Sequence, residues 1–191
     1  MLLSEVKNQI LSLGFEDATV LGDADYQAYF RDGINKALTF INAEFPLIGK
    51  YEISVDSDDI EEFDLADNSD FDCFLEAKIK KEVGGSNKLL PFSDFQLVQD
   101  SIVFISAGVK GDITFYYRQR PTLITTSSPD NTVMTIHYKA EQLLPLLASY
   151  YIWNDDDPEK AAKWKNEFED MRNLIQARTP KHNPYTFSGG V

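Results

Sequence analysis

The sequence predicts an α+β chain: a helical bundle built from the N- and C-terminal segments, an inserted antiparallel block of sandwich or barrel type, and an extended C-terminal tail. Three observations predict it. Apolar residues recur every three or four positions up to about residue 48 and again over 139–178, the period of an amphipathic helix. Over 50–138 the period falls to two and turn residues become frequent, as in half-buried strands. After Thr179 neither period survives. The expected organisation is one helical body from 1–48 and 139–178, a strand-rich insertion over 50–138, and a tail over 179–191.

The first helix is marked by Leu3, Val6, Ile10 and Leu13, with Gly14 placed to stop it. Asp23 and Asp25 are candidate caps for a second helix, whose stripe is Phe30, Ile34, Ala37, Leu38, Ile41 and Phe45. Pro46 ends it. Gly33 lies inside that helix, where glycine costs about 1 kcal/mol relative to alanine.

Tyr51–Asp56 alternates as a strand does, and 60–65 and 73–83 give similar patterns. Gly84-Gly85-Ser86-Asn87 is a turn signal. Residues 101–106 are a short apolar run, and 112–119 is a strand carrying Phe115, Tyr116 and Tyr117. Thr132–Tyr138 is the last expected strand. Runs of this kind with frequent turns predict a small antiparallel sandwich or barrel.

Helix returns near Glu141. Leu143, Leu144, Leu146, Leu147, Tyr150, Tyr151 and Trp153 make it apolar nearly all round, so it is expected to be central, with Pro145 in its first turn. Asp157 before Pro158 reads as a cap followed by a first helical position. Ala161, Trp164, Phe168, Met171 and Ile175 set the rhythm of the last helix, with Lys165 and Glu169 as a charged pair four apart. The tail carries Pro184, Tyr185 and Phe187, aromatic residues that no periodic core explains, and these three are the candidate partner-binding residues.

Composition narrows the function. The formal net charge is −13, with no dense Lys/Arg run, which argues against a tightly held nucleic acid. The single cysteine, Cys73, rules out an internal disulfide and is expected to be a small buried hydrophobe. The first residues lack the basic start and apolar run of a signal peptide, and no stretch is long enough to span a bilayer. A soluble protein made in a cytoplasm is expected.

No catalytic residues, cofactor or metal site are assigned. His137 and His182 are the only histidines; His137 is expected in a strand and His182 in the tail. There is no nucleophile elbow, no phosphate-binding glycine loop and no zinc ligand set. Glu52–Asp72 holds ten carboxylates and no Lys or Arg. Asp56-Ser57-Asp58-Asp59 and Asp67-Asn68-Ser69-Asp70 supply oxygen ligands of the kind Ca²⁺ takes, but neither continues into a full calcium loop. Solvated turns explain them more simply.

The order of these elements is familiar. Paired N-terminal helices precede an insertion containing Leu89-Leu90-Pro91-Phe92. A Gly111–Tyr117 strand then runs into Arg120-Pro121, and the Leu143–Tyr151 helix leads through an acidic turn into Glu159-Lys160-Ala161-Ala162. From about residue 24 to 178 the chain resembles the head-to-tail adaptor, or connector, proteins of tailed bacteriophages, including the tail-tubular gatekeeper type. The resemblance implies a structural, non-enzymatic virion protein: a ring, usually of twelve copies, seated under the portal protein and meeting a tail or nozzle protein below. DNA would pass through its centre without specific binding, and no membrane would be involved. It implies the virion neck as the location, after synthesis in the host cytoplasm, and a C-terminal tail reaching the portal. The alternatives are a stopper or other neck protein, and a stand-alone sandwich module holding glycan or Ca²⁺.

Overall fold

The computed structural model describes residues 1–15, 19–20 and 23–178. Among these the chain is α+β, with four α-helices towards its two ends and seven strands, in two antiparallel sheets, between them. The helices are α1 (Leu3–Gly14), α2 (Ala24–Glu44), α3 (Leu143–Trp153) and α4 (Pro158–Arg178). The strands are β1 (Ile48–Val55), β2 (Glu61–Asp64), β3 (Phe71–Val83), β4 (Ser86–Pro91), β5 (Phe95–Val98), β6 (Ile102–Ile105) and β7 (Gly111–Gln119). The backbone divides into two compact units. One is Met1–Ile41 with Ile124–Met134 and the chain from Tyr138; the other is Asn42–Leu123 with Thr135–His137.

In the first unit each helix starts or stops where its local chemistry allows. The Asp23 carboxylate accepts the Asp25 backbone N–H at 2.8 Å, satisfying one of the orphan donors that opens α2. Asp157 does the same for Lys160 at 3.0 Å, and Pro158 is the first residue of α4. Pro145 falls in the first turn of α3, where its missing N–H removes no helical bond. The helix is buried on nearly every side, through Leu143, Leu144, Leu147, Ala148 and Ile152. Leu3, Val6 and Ile10 of α1, Phe30, Ile34, Ala37 and Leu38 of α2, and Ala161, Trp164 and Phe168 of α4 are buried as well. Gly33 allows a close approach of α2 to α3: a Cβ there would lie 2.7 Å from Ile152 Cγ1 and 3.2 Å from the Ala148 carbonyl oxygen. On α4, Glu169 pairs with Arg172, while the Lys165 ammonium lies 5.4 Å from the Tyr150 ring centre.

In the second unit the sheets have the orders β1-β7-β3-β4 and β2-β6-β5. They share one hydrophobic cluster, with Val55, Ile79, Ile113, Phe115 and Tyr117 from the larger sheet and Val103 and Ile105 from the smaller. The expected barrel-like or sandwich block is corrected here. The strands form two separate sheets, and no barrel closes. Each strand of the smaller sheet is four residues long, and β1 and β4 stand as edges of the larger one. The Gly84-Gly85 turn closes the β3–β4 hairpin with φ of 63° and 76°, left-handed values that glycine adopts freely.

Three further expectations change. Thr132–Tyr138 is not a strand. Val133 makes an isolated bridge with Leu2, flanked by Leu3 N–H to Thr132 O at 2.8 Å and Met134 N–H to Met1 O at 2.9 Å. The partner chain turns into α1 at once, so no ladder can grow, and His137 lies in irregular chain. Cys73 is half-buried, beside a register shift in β3. A strand at Phe95–Val98 also escapes the sequence patterns, because its turn uses Gln99 and Asp100 in left-handed conformation (φ 51° and 63°) without a glycine signal.

Tyr117 ties the larger sheet to the loop before β3. Its hydroxyl donates to Asp70 at 2.9 Å, Gln119 donates to the same carboxylate, and Arg120 N–H bonds the Asp70 carbonyl oxygen at 2.7 Å. Burial, then the hydrogen bond and the charge of Asp70, push the Tyr117 phenol up to about 12. A raised phenol means that the unfolded chain loses this proton first. Stability contributed by Tyr117 is therefore complete below the ordinary tyrosine range and falls as pH rises from about 10 to about 12. Urea unfolding across that window should show the fall, and Tyr117→Phe should flatten it.

Candidate functional site

Pro184, Tyr185, Phe187 and His182 lie outside the described residues, as does the whole tail over 179–191. The acidic stretch is described, and several of its members have structural work. Asp64 accepts the Ala66 N–H at 2.9 Å, Asp70 holds Tyr117, and Asp72 pairs with Arg118 at 2.5 Å. Asp56 and Asp58 face Lys110 at 3.7 and 3.0 Å on the surface. Among the described residues no group of three or more His, Cys, Asp or Glu side chains is arranged to hold a metal ion. The acids are divided between strands (Glu52, Glu61, Glu62, Asp64 and Asp72) and the connections between them (Asp56, Asp58, Asp59, Asp67 and Asp70). The His137 ring lies 6.5 Å from the Phe45 ring. Among the described residues no helix is long and apolar enough to cross a membrane.

What the first unit offers is an uncovered aromatic surface. Tyr29, Lys36 and Phe40 share a face of α2, seven and four residues apart. Tyr29 is 56% exposed and Phe40 is 38% exposed, although Phe40 also meets the buried Phe168 ring edge-on at 6.0 Å. The Lys36 ammonium lies 6.0 Å from the Tyr151 ring centre. Tyr151 sits 5.1 Å from Tyr150, which in turn carries Lys165 at 5.4 Å. Tyr151 is half-buried, and burial, then the neighbouring Tyr150, pushes its phenol up. Rings with two rotatable bonds and cations resting on them are the groups that dominate protein interfaces, since they bury much apolar area at small entropic cost.

Periodicity placed Tyr150 and Tyr151 in a central, buried helix and left Tyr29 and Phe40 outside the α2 stripe. Tyr150 and Tyr151 are half-buried instead, and Tyr29 and Phe40 lie to the side of the Phe30–Ile34–Ala37–Leu38–Ile41 stripe. That offset was visible in the sequence. An aromatic one position away from a helix's apolar stripe points to a second, outward-facing use. No protein-family model matches this chain, and no curated protein sequence matches it.

Proposed function

We propose that this chain is a structural subunit of the neck of a tailed bacteriophage, a head-to-tail adaptor that assembles as a ring between portal and tail. The observation that carries the proposal is an aromatic and lysine surface on which Tyr29 and Phe40 are exposed and Tyr150 and Tyr151 half-buried, with Lys36 and Lys165 beside the tyrosines of α3. A chain with an apolar fraction of 43% has ample means to bury such rings internally, so leaving them at the surface suits a subunit completed by neighbours. The element order, helices towards both ends and strands between, agrees with the family resemblance. The net charge of −13 suits a channel that DNA crosses without sticking, because like charge on the lining disfavours phosphate contacts. The tail, with Pro184, Tyr185 and Phe187, is proposed to dock on the portal.

The test is negative-stain imaging of the full chain mixed with the portal protein of the same virus. A second ring stacked on the portal is expected. Removing 181–191 should abolish stacking while leaving the circular-dichroism spectrum unchanged. A folded full-length chain that adds no ring to the portal would falsify the proposal.

A further inference from the structure

The solvent-facing side of the four-stranded sheet carries an open cleft of about 540 Å³, within the size range of small-ligand sites. Register builds it. Lys50, Glu52 and Ser54 of β1 stand opposite Tyr116, Thr114 and Asp112 of β7. The β3 pairing sets Lys78 against Thr114, so Lys80 follows on the Asp112 row, and Lys80 pairs in turn with Leu89 of β4. Asn87 and Lys88 line the β4 side.

Within the cleft, polar groups are held by one another. Ser54 Oγ donates to Asp112 Oδ1 at 2.6 Å, and Lys80 Nζ lies 3.5 Å from Asp112 Oδ2. Those two partners hold the Asp112 carboxyl below the ordinary range, so it is an acceptor at neutral pH. Lys78 and Lys50 ammonium groups lie 4.8 and 6.0 Å from the Tyr116 ring centre. Thr114 points to the solvent side yet is only 7% exposed, so it forms a floor beneath these longer side chains.

The balance of charge selects the ligand. A polyanion would meet Glu52 and Asp112 as well as the −13 charge of the chain. A cation would meet Lys50 and Lys80. An apolar molecule would find little beyond Leu89 and the Tyr116 ring. A neutral polyhydroxylated ligand matches the lining, because every sugar hydroxyl donates and accepts. Ammonium and amide groups supply donors, the two carboxylates supply acceptors, and the exposed Leu89 offers apolar contact to a ring's C–H face. We propose that this cleft binds a neutral oligosaccharide. It shares no residue with the aromatic helical surface, so the two proposals can fail separately.

The experiment titrates the full chain with maltohexaose, cellohexaose, chitohexaose and a mannan fragment, alongside a heparin hexasaccharide and a short single-stranded DNA. Binding is followed by calorimetry and by NMR of the Tyr116 and Asn87 amides. At least one neutral oligosaccharide should bind and shift those amides. Glu52→Ala and Asn87→Ala, both exposed and outside the core, should each weaken it about tenfold, the effect of losing one charged or amide hydrogen bond. Lys110→Ala, whose partners Asp56 and Asp58 lie outside the cleft lining, should leave it unchanged. The proposal is overturned if no neutral sugar binds, if binding survives both cleft variants, or if only heparin or DNA binds.

Discussion

Gly49→Ala should destabilise the chain by about 4 kcal/mol, measured as a lowered urea midpoint at unchanged m-value. Gly49 pairs directly with Tyr117 across β1 and β7. A Cβ there would press on the Tyr117 ring at Cζ, lying 2.5 Å from Cε2 and 2.8 Å from the hydroxyl. Those are the far atoms of the side chain, but they are not free to swing away. Tyr117 is 3% exposed, packs on Phe71 at a ring separation of 5.4 Å, and is held by Asp70. Overpacking a core typically costs about 1–3 kcal/mol, and a buried hydroxyl–carboxylate pair forced apart adds about 1–3 more. Tyr117→Phe removes the hydroxyl alone and should cost about 1 kcal/mol, because Gln119 still donates to Asp70. If Gly49→Ala costs no more than Tyr117→Phe, the ring does not rest on the glycine and the account is wrong.

Gly33→Leu should cost about 3 kcal/mol, through overpacking against α3. Glycine is a poor helix former, so on propensity alone leucine at this position in α2 would stabilise it. Contact decides the opposite. A Cβ would meet Ile152 Cγ1 at 2.7 Å, a methylene next to the β-branch and not the flexible tip, and the Ala148 carbonyl oxygen at 3.2 Å. The helices would have to separate, loosening the buried Ile34 and Ala37 beside Gly33. A double-mutant cycle distinguishes contact from propensity. In an Ile152→Ala background only the Ala148 carbonyl oxygen at 3.2 Å still faces the added Cβ, so Gly33→Ala should cost less there than in the parent. A Gly33→Leu variant as stable as the parent would show that α2 and α3 do not approach here.

Several elements were legible because their causes are local. Asp23, Asp157 and Pro158 announce helix starts through side-chain oxygens and a fixed φ, and each does so in the structure. The Gly84-Gly85 pair announces a hairpin because both residues must take positive φ. Where a local signal was missing or misleading, the expectation failed. Gln99 and Asp100 make a turn in left-handed conformation without a glycine or proline to mark it, which hid the strand before it. Thr132–Tyr138 alternates like a strand but finds only Leu2 as a partner. The number of sheets was not legible either, since β1 finds its neighbour in β7, far along the chain, and β2 finds β6.

The candidate surfaces divide in the same way. Lys78 and Lys80 could be seen to alternate, but that Lys50, Tyr116 and Asp112 join them on one face follows from a register no local window contains. The outward aromatics of α2 could be found from their offset to the stripe; their meeting with Tyr150 and Tyr151 could not.

By itself, the sequence determined what each stretch of this chain would be: helices towards both ends, strands between them, and an acidic composition that disfavours nucleic acid. Periodicity and capping are properties of the backbone within a few residues, so they can be read there. Only the tertiary structure decided which strands share a sheet, which glycines lie under a side chain, and which polar groups converge. Those outcomes depend on volumes and hydrogen-bond partners brought together from distant parts of the chain. Gly49 beneath Tyr117 is an example, where a residue without a side chain in β1 is required by one in β7, with five strands between them in sequence.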